Sequence, residues 1–212
     1  MENWNFSREM IDMTERERKD DLEFNIETAE CIILDNKEGY FNYQPTSFKM
    51  LNKLFEKYTF DEGDQLVDFG CGLGRVLVIA ANKGCRKSIG IEVNATIYDR
   101  LLKNIEVCEL GSKIQTYLMP AEKYVIQPND NKFFFFNPFH LKFFIKVLGN
   151  IKKSLKGKYR ENFIFLHNAS EAYQKYMEND RDVQLLEIIM PQDKDEYSLW
   201  VFQVRDTSIY VK

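Results

Sequence analysis

Histidine is nearly missing from the sequence: His140 and His167 are the only two in 212 residues. The four cysteines, Cys31, Cys71, Cys85 and Cys108, include no C-x-x-C pair. These shortages argue against a metal centre, which draws on closely spaced Cys, His and acidic ligands. Scattered free cysteines suit a reducing compartment. A strong charge of either sign is missing too. The formal net charge is −4, which argues against broad nucleic-acid binding through a basic surface. No apolar run reaches the roughly 20 residues of a membrane span. The most apolar stretch, 133–148, is interrupted by Asn137, Pro138, His140, Lys142 and Lys146. The opening Met1-Glu2-Asn3-Trp4-Asn5-Phe6 lacks the basic-then-apolar order of a signal peptide. A cytoplasmic location is therefore expected. Repeats, low-complexity tracts and Gly/Ser linkers are lacking as well, and the length suits one sizeable core.

Aromatic residues, by contrast, are plentiful, with seventeen Phe and eleven Tyr. Residues 1–30 are charged and lean towards helix. Thr14-Glu15-Arg16-Glu17 reads as a capping box opening a helix to about Asn25, and the charge run 15–21 reads as its solvated face. Pro45-Thr46 opens a second helix, with Phe48, Leu51, Leu54, Phe55 and Tyr58 at helical spacing. These parts suggest an N-terminal helical extension over 1–45, ahead of a main domain over 46–212.

From Gln65 the pattern alternates. Strands are expected at 65–69, 88–92, 114–119, 132–137 and 162–167. Helices are expected at 74–82, 95–108 (capped by Asn94), 141–155 and 170–178. Strands separated by helices pair in parallel, because each return needs a crossover. Phe133-Phe134-Phe135-Phe136 fits a strand buried on both faces. The last two strands, 183–190 and 197–204, are separated only by Pro191-Gln192-Asp193-Lys194-Asp195-Glu196. Six polar or turn-forming residues cannot form a crossover, so these two strands form an antiparallel hairpin. The expected fold is α/β: a Rossmann-like, mostly parallel seven-stranded sheet with helices on both faces and a C-terminal antiparallel hairpin.

The chemistry concentrates between the first strand and its helix, in Val67-Asp68-Phe69-Gly70-Cys71-Gly72-Leu73-Gly74-Arg75. Glycines there permit positive φ and close approach of a ligand to bare backbone, and the following helix offers free N–H groups. A dinucleotide loop would read G-x-G-x-x-G/A. Here its third position holds Arg75, whose bulk would obstruct helix–strand packing. The spacing is G-x-G-x-G, with Asp68 two positions ahead.

Asp68-x-Gly70-x-Gly72-x-Gly74 resembles motif I of the class I S-adenosylmethionine (SAM)-dependent methyltransferases. The resemblance implies that Gly70, Cys71, Gly72 and Gly74 lie against the methionine part of SAM and that Asp68 orients its amino-acid end. Glu92, ending the second strand twenty-two positions after Gly70, takes the place of the family's ribose acid and can accept from both hydroxyls. After the third strand the family often carries an acidic residue followed by Ala at the adenine. This chain departs from that with Pro120-Ala121-Glu122, so Ala121 is expected at the ring and Glu122 as substitute acid. Asn137-Pro138-Phe139, ending the fourth strand, is similar to the Asn/Asp-Pro-Pro-aromatic motif of nucleic-acid N-methyltransferases, lacking its second Pro. Asn137 is the candidate acceptor-positioning residue, also expected beside SAM. Tyr43-Gln44-Pro45-Thr46 with these segments looks like a group of small bacterial, Dot1-like methyltransferases, over roughly residues 23–204. That likeness places Tyr43 and Thr46 over the methionine end of SAM, although Pro and Thr also suit a plain helix entry. His140 and His167 read as structural or surface residues.

Methyl transfer from a sulfonium needs alignment rather than a dedicated nucleophile, in keeping with the lack of a triad. The expected activity is SAM-dependent methyl transfer, leaving S-adenosylhomocysteine (SAH), to a small molecule. The alternatives are a nucleic-acid base, a protein side chain, or a SAM-binding module serving a partner. An oxidoreductase is opposed by Arg75 and the terminal hairpin.

Overall fold

A computed structural model describes residues 8–34, 39–157, 160–194 and 196–205. The opening residues read above against a signal peptide, and Asp195 of the hairpin connection, lie outside these ranges.

Seven strands form one sheet: β1 (Gln65–Phe69), β2 (Lys87–Glu92), β3 (Ile114–Leu118), β4 (Lys132–Phe136), β5 (Phe163–His167), β6 (Val183–Ile189) and β7 (Leu199–Val204). Their order is β3-β2-β1-β4-β5-β7-β6. The first five pair in parallel, while β7 runs antiparallel to both β5 and β6. The hairpin is as expected, with β7 inserted between β5 and β6. Strand order reverses between β1 and β4, which opens a crevice at their carboxyl ends.

Six helices accompany the sheet: α1 (Arg8–Glu23), α2 (Phe48–Lys57), α3 (Arg75–Asn82), α4 (Ala95–Val107), α5 (Leu141–Leu155) and α6 (Glu171–Asn179). Strand parity sorts the core into two layers. Val67, Phe69, Phe133 and Phe135 pack with Phe144 and Leu148 of α5 and Tyr173 of α6. Leu66, Phe134 and Phe165 pack with Leu51 of α2, Leu77 of α3 and Leu101 of α4. The phenylalanine run is thus divided between the two faces, and Phe133, Phe134 and Phe135 are all buried.

Two helix starts differ from the sequence reading. Among the described residues α1 runs from Arg8, so Thr14 lies inside it and not at its start. Here a local capping pattern is overridden by a helix that extends past it. α2 begins at Phe48, where the Ser47 Oγ accepts from Met50 N at 3.1 Å. Pro45 and Thr46 remain outside the helix, and Thr46 is buried. The charge run of α1 is also not a solvated face throughout. Glu17 and Asp21 are buried, because they have found a cation elsewhere in the chain.

Candidate active site

The loop after β1 carries three left-handed glycines, Gly70 (φ +86°), Gly72 (φ +54°) and Gly74 (φ +93°). A Cβ on Gly72 would stand 2.2 Å from the Tyr43 ring, and one on Gly70 would stand 2.5 Å from Pro138 Cβ. Both distances are far inside van der Waals contact, so side chains are barred there by neighbours as well as by φ. The glycines therefore let two other segments close over the loop. One is the strap containing Tyr43, which exchanges backbone hydrogen bonds with Ile32. The other is the Asn-Pro-Phe turn after β4, joined to the strap by the Phe41 N–H donating to Pro138 O at 3.1 Å.

Between these segments lies a cavity of about 330 Å³, within the usual range for small-molecule sites. Its walls include Tyr43, Gly70, Gly72, Glu92, Ala121 and Pro138, with Tyr40 and Phe139 further along. A small adjoining crevice brings Thr46, Asp68 and Cys71 against the same Tyr43 and Gly70. The strap, the glycine loop, Glu92, Ala121 and the Asn-Pro-Phe turn thus converge, although up to 96 positions (43 to 139) separate them in sequence. Gly74 is different: it caps the start of α3 and faces Leu101. Glu122 sits in the short 3₁₀ turn Ala121–Lys123 but does not line the cavity. Asn137 has φ +38°. It lies between the wall residues Phe136 and Pro138 without being one itself, and its Oδ1 is buried without a hydrogen-bond partner.

Two carboxylates dominate the electrostatics. Burial pushes Asp68 well above the usual carboxylate range, and the neighbouring Glu92 charge pushes it further. Glu92 is also raised by burial, against three backbone donors that hold it down. These are Gly72 N at 3.1 Å, Val93 N at 2.8 Å and Asn94 N at 2.8 Å. A carboxylate has about four lone-pair sites, so Glu92 has room for roughly one further donor, not the two ribose hydroxyls expected. Neither carboxylate has an ion-pair partner among the described residues. His167 is not positioned as a base. Burial lowers it to about 4, and its ring nitrogens face Thr46 Oγ1 at 3.4 Å and Tyr197 O at 3.2 Å. His140 is exposed at the start of α5.

Comparison with known proteins matches residues 38–117 to the family described as histone methylation protein DOT1. A protein-lysine N-methyltransferase of Saccharolobus islandicus (strain REY15A) is 34% identical over 65 residues, covering 30% of this chain and 40% of that protein. The chain thus aligns with well under half of that curated relative. In structure the chain is similar to an RNA methyltransferase from Salinibacter ruber, solved with S-adenosyl-L-homocysteine. The TM-score is 0.61 at 14% identity, covering 77% of this chain and 95% of the other. A human methyltransferase 10 domain containing protein is similar with TM-score 0.65 at 13% identity, over 95% of this chain and 100% of the other. The chain thus shares the fold of these methyltransferases.

The residues fit such a cofactor on their own chemistry. Asp68 and Glu92 supply negative charge without a protein cation, as a ligand carrying an ammonium and a sulfonium requires. Glu92 retains acceptor capacity for one hydroxyl. Arg75, read from the sequence as an obstruction, is only 2% exposed. Its Nη1 pairs with Glu17 and also donates to Thr46 O at 3.0 Å. Its Nη2 lies 3.1 Å from Asp21 Oδ1, and its Nε donates to Thr28 Oγ1 at 2.7 Å. Sequence reasoning missed this cluster. The signal available was a cation inside an otherwise apolar helix, which burial would force to find carboxylates.

Proposed function

We propose that this methyltransferase transfers the methyl group of SAM to the amine of a protein lysine. The observation that carries the reading is the sequence likeness to the DOT1 family over 38–117. That span holds the strap with Tyr43, the glycine loop and Glu92, which form most of the cofactor side of the cavity. The named protein-lysine N-methyltransferase relative supports the same acceptor. SAM supplies an already activated methyl group, so the chain's task is binding, alignment and exclusion of water. Asp68 would take the ammonium of the amino-acid end, Glu92 one ribose hydroxyl, and Ala121 the adenine. Tyr43 and Thr46 cover the methionine end. A lysine must lose its proton before it attacks. The aromatic acceptor end, built by Tyr40, Phe136 and Phe139, would disfavour the ammonium by desolvation and so lower its pKa. The unpartnered Asn137 side-chain oxygen, buried between the wall residues Phe136 and Pro138, would accept from the amine N–H once turned into the cavity.

A second reading, a base nitrogen in RNA, is favoured by one surface feature. Lys142, Lys146, Lys153 and Lys156 are exposed at helical spacing along α5, and none makes an ion pair with a described residue. Such a stripe suits phosphates. The small-molecule acceptor expected from the acidic composition has no counterpart in the relatives named above.

The deciding experiment incubates the purified chain with methyl-labelled SAM and, separately, a lysine-rich unfolded protein, total RNA and a small-metabolite extract. Label on lysine Nε by mass spectrometry supports the first reading. Label on RNA alone replaces it with the second, and label only in the metabolite fraction restores the small-molecule expectation.

A further inference from the structure

We infer that Arg75 is a positioning residue for the cofactor site, and that α1 is thereby part of that site's scaffold. The inference rests on the SAM reading but adds residues outside the cavity to it. Arg75 is the first residue of α3. A cation there meets the positive end of a helix dipole, so its position is unfavourable unless anions lie close. α1 supplies them, in Glu17 and Asp21. The guanidinium also lies 4.3 Å from the centre of the Phe48 ring, at the start of α2. One fork therefore gathers α1, α2 and α3.

The same fork holds both ends of the strap. At one end Thr28 accepts from Arg75 Nε and itself donates to Asp21 Oδ1 at 2.6 Å. Asp21 Oδ2 also accepts from the backbone N–H groups of Thr28 at 2.5 Å and Ala29 at 2.8 Å. At the other end the Thr46 carbonyl accepts from Nη1. Between these ends Tyr43 donates its hydroxyl to Thr28 O at 2.9 Å and lays its ring on Gly72. Arg75 thus fixes the two anchor points from which Tyr43 and Thr46 reach the glycine loop; it stands outside the main cavity and borders only the small crevice beside Thr46, Asp68 and Cys71. Removing it should loosen the cover of the cofactor site and leave the alignment of the acceptor, held by the β4 turn, intact.

The test compares wild type with R75K, R75M and the near-isosteric double variant E17Q/D21N, in the full chain. In the cofactor-free protein, backbone amides of 40–47 should exchange hydrogen faster in R75M while those of β1 and β4 hold their protection. SAH affinity by calorimetry should fall about tenfold or more, and KM for SAM should rise with kcat at saturating SAM within about threefold. R75K should fall between, since it keeps the charge but loses the fork. Should R75M fail to fold, E17Q/D21N is read by the same measurements. Unchanged exchange over 40–47, SAH affinity within about twofold of wild type, or a loss confined to kcat would overturn the proposal. If wild type itself bound no SAH, the cofactor reading would fall, whereas the exchange measurement would still judge the tie between Arg75 and the strap.

Discussion

Two pairs of buried carboxylates flank the glycine loop, and they differ in what faces them. Glu17 and Asp21 lie behind the loop, joined to a buried arginine. Asp68 and Glu92 lie in front of it, with a cavity where a cation would be. The rear pair fastens one part of the chain to another. The front pair leaves part of its electrostatic demand open: burial raises both groups with no protein cation opposing it, whereas Glu17, also raised by burial, has Arg75 pulling it back down. A buried acid with its partner inside the protein belongs to the architecture, and one without points to a ligand.

The contrast can be broken experimentally. The largest effect is expected from Gly72→Val. A branched side chain at φ +54°, on a site already occupied by the Tyr43 ring, should displace the strap and abolish SAH binding in calorimetry. Next is Arg75→Met, which leaves two buried acids unpaired behind the loop and should cost about 3–5 kcal/mol in urea denaturation. Glu92→Gln should cost less stability. It removes a desolvated charge but also turns one accepting oxygen into a donor facing backbone N–H groups, so the two effects partly offset in the cofactor-free protein, while SAH binding weakens by about 1.5–3 kcal/mol. A Glu92→Gln as destabilised as Arg75→Met, with undiminished SAH affinity, would erase the distinction between front and rear.

Proton linkage sharpens the same point. The cofactor-free Asp68 holds its proton to higher pH than a free aspartate, and a bound ammonium would favour the ionised form. SAH affinity should therefore rise as pH rises from the acid side, with protons released on binding. Calorimetry in buffers of different ionisation enthalpy measures that release. Stability has a separate contribution from His167, held down to about 4 by burial. Between that value and the usual 6.5 the unfolded chain binds the proton and the folded one does not. This contribution is complete above the unfolded value and is lost as pH falls towards about 4, a loss that His167→Asn should flatten in thermal melts. The smallest effect is expected for Glu122→Ala, within about twofold in SAH affinity, since Glu122 stands outside the cavity wall.

Much of the front was legible in the sequence because it is local. Asp68 and the glycines lie within seven positions, and Glu92 ends the next strand. The parallel strands announced themselves by alternation, and the hairpin by a connection too short for a crossover. The rear was illegible because Glu17 and Asp21 meet Arg75 across 58 and 54 positions. A charge run records only composition, not which two of its members will be drawn inside. Thr14 misled for a related reason: a capping pattern is a local preference, and the helix runs straight through it. The glycines were read as space for a ligand; Gly70 and Gly72 do line the cavity, and they also leave room for Pro138 and Tyr43. That function needs neighbours far away in sequence and leaves no trace at motif scale.

The placing of β7 between β5 and β6 has a consequence for assembly during synthesis. While the chain emerges in order, β5 is complete before β7 exists, and its outer edge stays open. β6 follows but has only β7 to pair with, so it cannot close that edge. The sheet is sealed only when residues 199–204 arrive and wedge in as a latch, carrying β6 with them. Until then the nascent chain presents an unpaired strand rich in phenylalanine, the kind of edge that invites association with other chains. A ribosome stalled short of residue 199 should hold a protein with its glycine loop already formed and its sheet still open to a stranger.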